Sequence, residues 1–512
     1  MSNRPLRLTL GALFSATLLV TACGPGASSS SGGGGAGGAT TSTTAGTGGT
    51  TGGTGGSNTG GTAGTGGTTT ETSSFGDWHV GWIASVPTTE GDTAVGALGP
   101  GGPAIASIFQ GTVTFPDKQA TAPAAGREGY VARYDKSGQY LWSTIFEATD
   151  SVYLLSVDVD ASDRVVTAGY FRGDLTVGGQ KLTSSPNFFL GFVALLDSDG
   201  SLLWVRQIGD VTASFTVESA AFAPDGSVIA SGEFDATFDL DGAQLQTIAA
   251  PDLFVAKLAA ADGKRIWSRA LGGTDIEFVF NASVDPAGDV LLSGVYAGDI
   301  DFGTGSLPTG PADGYGFIVK LSGADGKATF AREVGAALGY VAGAPDGFYY
   351  AGILNGAADF GGGEISTTTY LPVVAAYGPT GDFRWNNQYG EADTLVASTA
   401  LPDASAGGLA AAFPVAISFD FADGNGPVSI LGGEDVFLDA VPSDNAPPRL
   451  HHFGNNNAQS PHSVSLGQDG SALIVGHFGG TFTVSPVDQG SGTVTSTGLT
   501  DTFLLYLVPG SL

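Results

Sequence analysis

Sulfur is nearly missing from this sequence. There is one cysteine, Cys23, and one methionine. A chain whose only cysteine lies this near its start has no disulfide, no thiolate metal site and no cysteine nucleophile in its later part. Basic residues are scarce too. Nineteen Lys and Arg face 49 Asp and Glu, a formal net charge of −30. That balance argues against nucleic acid and anionic membrane surfaces as ligands. Apolar runs are short; only Leu8 to Thr21 stands out, and it is brief for a membrane span. Helical periodicity is almost absent. So are the common catalytic signatures. No Gly-x-Ser-x-Gly elbow sits on a strand-to-helix turn, and no His-Glu-x-x-His, phosphate loop or dinucleotide fingerprint occurs. The sequence therefore leans away from an enzyme.

What is present begins with an address. Arg4 and Arg7 precede the apolar run, which ends in Val20-Thr21-Ala22-Cys23-Gly24. The order of basic start, apolar stretch, small residues and Cys resembles the lipobox of bacterial lipoproteins. That resemblance implies a signal peptide over residues 1–22 and a lipid-modified Cys23. The chain is then expected to be anchored at the bacterial outer membrane or cell surface. Each buried methylene of an acyl chain contributes about 0.8 kcal/mol, so several chains anchor stably. Residues 27–74 are Gly, Ala, Ser and Thr apart from Asn58 and Glu71. Such a stretch cannot bury enough apolar surface to fold. Residues 23–74 thus read as a lipidated Cys plus a flexible tether, spanning about 40 Å root-mean-square.

From Phe75 one unit recurs. Its first anchor is Gly-x-aromatic after a β-rich run, with aromatics at Phe109, Phe171, Phe234, Tyr296, Phe413 and Phe478, and Leu354 in their place once. These recur at about 60-residue intervals, the size of a propeller blade or solenoid repeat. The second anchor is Trp82, Trp142, Trp204, Trp267, Phe330 and Trp385, most of them four residues after a turn glycine. The third is a run such as YVARYD at Tyr130, FVALLD at Phe192, FVAKLA at Phe254 and FIVKLS at Phe317. Within a unit, residues 218–224, 227–234, 253–259 and 265–271 read as four strands joined by Asp-Gly and polar turns. The expected fold is all-β over residues 75–512: a seven-bladed β-propeller with four antiparallel strands per blade. HVGWIAS at His79 matches a fourth strand, and DTFLLYLV at Asp501 a third. The N-terminal strand is therefore expected to join the last blade and close the ring, leaving a monomer with no open edge.

DLFVAKLAAADGKRIWSRALGG and GYGFIVKLSGADGK, with SVDPAGDVLLSG, resemble the bacterial SBBP β-propeller repeat over most of residues 75–508. The Gly-x-x-x-Trp step is also similar to the tryptophan-docking motif of quinoprotein-type (PQQ) propellers. Those resemblances imply a propeller and bring no catalytic motif.

Candidate ligand-face residues come from the loops joining a fourth strand to the next first strand. They are Asp150, Asp210, Asp275, Glu277, Glu391, Asp393 and Asn456 with its neighbours Asn455 and Asn457. Drawn from different blades, they are expected to ring a channel mouth, where carboxylates hold Ca²⁺ well. Asp197 to Gly200 and Asp420 to Gly426 resemble calcium loops weakly, without the full twelve-residue pattern. Four of five histidines fall late, at His451, His452, His462 and His477. Adjacent His451 and His452 point to opposite faces if extended, which does not favour zinc. The functional expectation is a lipid-anchored binding or scaffold module for an envelope protein or polysaccharide. The alternatives are an extracellular carbohydrate-active propeller enzyme and a calcium-stabilised surface protein.

Overall fold

The computed structural model describes residues 75–389, 400–405, 407–415, 434–455, 457–485, 488 and 492–510. Among these residues the regular structure is all β. The chain forms a β-propeller of antiparallel four-stranded meanders, named here sheets A to G in chain order.

Sheet B comprises Ser151–Val159, Val165–Arg172, Leu190–Leu196 and Leu202–Ile208. Sheet C comprises Ser219–Phe222, Val228–Phe234, Asp252–Leu258 and Arg265–Leu271. Sheet D runs from Glu277–Val284 to Ala328–Glu333, sheet E from Ala337–Ala344 to Phe383–Gln388, and sheet F from Asp403–Ser405 to Arg449–Phe453. Sheet G combines Gln459–Leu466, Ala472–Phe478 and Asp501–Pro509 with the N-terminal strand Trp78–Val86. Six sheets are thus free-standing four-stranded blades.

The sequence count of seven separate four-stranded blades needs correction. Thr88–Gly99, Gly102–Thr114, Glu128–Tyr134 and Tyr140–Ala148 belong to a larger, seven-stranded sheet A. Gln119–Thr121 adds to its second strand. The hairpin of Asp174–Val177 with Gln180–Thr183 adds at its outer edge, where Glu147 and Ala148 pair with Thr176 and Leu175. The reason is physical: an outer strand offers unpaired backbone groups, and this hairpin from sheet B takes them up.

The core lies between sheets. One cluster joins Trp82, Leu473, Leu504 and Tyr506 of sheet G to Ile105, Phe109 and Tyr130 of sheet A. Others join A, B and C, then C to D, D to E, E to F, and F to G. This explains the burial pattern. Glu128–Tyr134, Leu190–Leu196 and Asp252–Leu258 are buried at every residue, because a neighbouring sheet covers each face. The outer strand Leu202–Ile208 is only partly buried.

The recurrent tryptophans act across these seams. Trp204 donates its Nε1–H to the Ala260 carbonyl at 2.8 Å in the next sheet. Trp82, Trp142 and Trp267 do the same to Lys136, Ser198 and Gly323, at 2.9, 2.7 and 3.0 Å. Each indole lies on the turn glycine of that next sheet. At Gly263 the backbone has φ +67, and a Cβ would fall 2.9 Å from the Trp204 ring. The glycine thus meets two demands: a left-handed turn and close approach of the neighbour's indole. Trp385 breaks the rule. The turn it would meet carries Asn445 at φ 58 where the others have glycine, and its Nε1 has no hydrogen-bond partner among the described residues. Trp204→Ala is expected to cost about 3–5 kcal/mol, with Trp385→Ala costing clearly less. Equal losses in denaturant melts would refute the docking role.

Candidate functional site

Where seven inner strands converge, a cavity of about 220 Å³ runs along their edges. Its wall includes Gly96, Val157, Ala220, Ala282, Val341, Asp403 and Val464. Inner strands leave one backbone edge without a ladder partner, and buried N–H groups must be satisfied. Polar side chains of neighbouring sheets do so. Ser156 Oγ accepts from Ala220 N at 2.9 Å, and Asp158 from Phe222 N at 2.8 Å. Asn281 both accepts from Val341 N, at 3.0 Å, and donates to Val341 O, at 2.8 Å. Ser463 and Ser465 hold Gly96 N and Leu98 N at 2.8 and 3.0 Å, stitching sheet G to sheet A. Asp403 holds Leu466 N at 2.8 Å. Burial pushes Asp158 and Asp403 up to about 6, and the Asp403 charge adds to the rise at Asp158. The polar lining is therefore largely committed to joining sheets. The space itself is small, roughly the volume of seven waters.

The loop acids also have local partners. Arg172 donates to Asp150 from Nε at 2.7 Å and Nη2 at 3.2 Å, and holds it below the usual carboxylate range. Asp210 accepts from Thr212 N at 2.9 Å, and Asp275 from Ile276 N at 3.0 Å. Glu277 is different. It is fully buried at the start of its inner strand and pushed up to about 8, first by burial and then by the Asp252 and Asp275 charges. Glu391, Asp393, Asn456, Cys23 and the Asp420–Gly426 loop lie outside the described residues. Asn455 and Asn457 both donate to the Thr481 carbonyl. Asp197 and Asp199 cap their own turn. Among the described residues no three His, Asp or Glu converge as a metal site. His451 and His452 do diverge, to Gly76 O and Asp435, both at 2.7 Å.

Sequence reasoning took one slot, the residue before the recurrent aromatic, as tolerant of substitution and without a special role. Sheet C places Glu233 there. Its carboxylate accepts from Thr216 Oγ1 at 3.0 Å and from Val279 N of sheet D at 2.9 Å. Glu218, immediately before the adjoining inner strand Ser219–Phe222, is pushed up to about 7 by burial; burial and then the Glu218 charge raise Glu233. Sheet G places His477 in the same slot, its ring 4.9 Å from that of His462. Sheet B places Tyr170 there, stacked 4.8 Å from Tyr153. The signal was in the sequence: the slot ranges from Ala and Ile to Glu, Tyr and His, while its neighbours vary far less, small before it and apolar after it.

No family model matches the chain. An uncharacterized WD repeat-containing protein of Acanthamoeba polyphaga mimivirus is 20% identical over 33% of this chain and 16% of its own length. The match thus spans about a sixth of that relative. Among solved structures, a europium-containing methanol dehydrogenase aligns over 84% of this chain and 93% of its own, at 11% identity and TM-score 0.31. A Synechocystis apocarotenoid oxygenase aligns over 86% and 96%, at 10% identity and TM-score 0.40. A puromycin hydrolase aligns over 81% and 54%, at 16% identity and TM-score 0.37. Likeness at that level carries no function across.

Proposed function

We propose that the chain is a lipid-anchored envelope β-propeller that binds or scaffolds a protein or polysaccharide partner without catalysis. The observation that carries this reading is the commitment of its polar groups. Axial side chains join sheet to sheet, Asp150, Asp210 and Asp275 are capped or ion-paired, and the cavity is too small for a polymer. What remains for function is the acidic surface of the propeller, which this reading anchors through Cys23 to the outer membrane or cell surface.

The same reading takes the ring as seven-membered. Thr88–Gly99, Gly102–Thr114, Glu128–Tyr134 and Tyr140–Ala148 serve as the blade between sheets G and B. Seven inner strands line the axial cavity, and Trp78–Val86 pairing with Asp501–Pro509 supports closure.

A second reading, a carbohydrate-active enzyme, draws on Glu218 and Glu233. Both are raised by burial, Glu233 further by the Glu218 charge, and neighbouring carboxyls raised in this way are the usual material of acid–base pairs. The deciding experiment is in-cell cross-linking of the tagged, full-length lipoprotein, followed by mass spectrometry. One dominant envelope protein, cross-linked through the loops carrying Asp150, Asp210 and Asp275, is the expected result for a scaffold. Neither a protein nor a glycan partner, together with glycan hydrolysis lost in Glu233→Gln, would replace the binding reading with the enzyme.

A further inference from the structure

The repeat shows what a blade needs, so departures from it are informative. In five sheets the middle residue of Gly-x-aromatic is buried: Ile108 0%, Val295 3%, Ile353 6%, Ala412 0% and His477 8% exposed. Small or aliphatic side chains fill four of these, and an imidazole the fifth. Glu233 is one departure and is absorbed by the next sheet. Tyr170 is the other. It stays partly exposed and pairs directly across the ladder with Tyr153. The two rings stack at 4.8 Å, and Phe189 meets them edge-on at 5.2 and 6.1 Å. The Arg172 guanidinium lies 5.0 Å from the Phe189 centroid while bonding Asp150. Arg127 lies 5.6 Å from the Tyr153 centroid, and its Nη1 donates to the Tyr153 hydroxyl at 3.2 Å. Every member of this cluster is partly solvent-exposed.

We propose that Tyr153, Tyr170 and Phe189, with Arg172 and Asp150, form a subsite for the pyranose rings of a neutral polysaccharide. This rests on the binding-module reading and narrows it to one partner chemistry. A pyranose has an apolar C–H face and a rim of hydroxyls. It needs an aromatic surface beside donors and acceptors held in place, as ligand sites generally do. The rings supply the first, and the Asp150–Arg172 pair and Tyr hydroxyls the second. Mutual packing fixes these side chains beforehand, so little rotamer freedom is lost on binding. Charge selects within glycans. Arg172 is balanced by Asp150, and a chain of net charge −30 repels polyuronates and other polyanions.

The test is native electrophoresis of the full-length lipoprotein, in detergent, through gels containing laminarin, xylan, dextran or starch, with alginate as the anionic control. Retardation is expected in at least one neutral gel and not in alginate. Tyr170→Val installs the residue sheet D already carries and should leave the melt intact. Phe189→Ala alters a loop residue, sparing the ladders. Each should weaken retardation about tenfold or more, in line with the loss of one aromatic anchor. No retardation in any neutral gel, or retardation unchanged in both variants, overturns the proposal. If cross-linking then still captures one envelope protein, the glycan subsite fails while the binding-module reading stands. If neither partner is found, both fail.

Discussion

Deleting residues 75–85 should unfold the whole domain under conditions where the parent is stable, rather than merely trim one end. Trp78–Val86 is the outer strand of sheet G, paired from Trp78↔Pro509 to Val86↔Thr502. Its Trp78, Val80, Trp82, Ile83 and Val86 are all buried. Trp82 alone makes three kinds of contact: it stacks on Tyr506 at 5.2 Å, bonds Lys136 O, and rests on the turn glycine Gly138 of sheet A. Removing the strand uncovers a sheet edge and opens the apolar cluster shared by sheets G and A. Inter-sheet clusters run from A to G in order, so the damage falls on two blades at once. A fall of roughly 10 °C or more in melting temperature is expected, with faster proteolysis of both sheets. Trp82→Ala, expected to cost about 3–5 kcal/mol, separates the tryptophan's share from the strand's. A deletion variant melting within a degree or two of the parent would mean that the strand is an ornament and the ring does not depend on it.

The pairing of Trp78–Val86 with Asp501–Pro509 was legible because HVGWIAS and DTFLLYLV keep the repeat's own pattern at the two ends. The strands of sheet C were legible for the same reason. Residues 227–234, 253–259 and 265–271 were expected, and Val228–Phe234, Asp252–Leu258 and Arg265–Leu271 were found. The docking tryptophans were legible because every seam poses one geometric problem. Sheet A's extra strands were not. The Asp174–Val177 hairpin belongs in sequence to sheet B, and its pairing with Glu147 and Ala148 depends on where an edge lies in space. The candidate site was hidden for a related reason. An acidic loop residue announces its charge but not its partner. Asp150 finds Arg172 across a hairpin, while Glu277 finds mainly burial and the nearby charges of Asp252 and Asp275. Composition alone could not separate a capped surface acid from a buried one pushed far above the usual carboxylate range.

Those buried acids give the second large expectation, an optimum of stability on the acid side of neutral. Glu277 is pushed up to about 8, Glu128 and Glu218 to about 7, and Asp158 and Asp403 to about 6, in each case first by burial. A carboxyl raised on folding binds its proton more tightly in the folded chain than in the unfolded one. Its stabilising contribution is complete below the unfolded value, near 4, and is lost as pH rises through the folded value. Stability should therefore fall from about pH 5 toward pH 8, and the net charge of −30 works in the same direction. His477 has the opposite sign. Burial, then the charge of His462, keeps its imidazole well below the usual range, so acid below about 6.5 withdraws its contribution. His451 is lowered by burial as well, so five carboxyls stand against two such imidazoles, and the maximum should lie near pH 5 to 6. Glu277 is the sharpest probe, because it is fully buried. Its shift corresponds to a few kcal/mol at pH 8, at about 1.36 kcal/mol per unit. Glu277→Gln should raise the melting temperature at pH 8, change it little at pH 5, and flatten the profile between them. A parent whose melting temperature is level from pH 5 to 8 would show that these carboxyls are ionised in the folded state. The buried acids would then have to be reached by solvent, and the stitched axial seam would be looser than its hydrogen bonds imply.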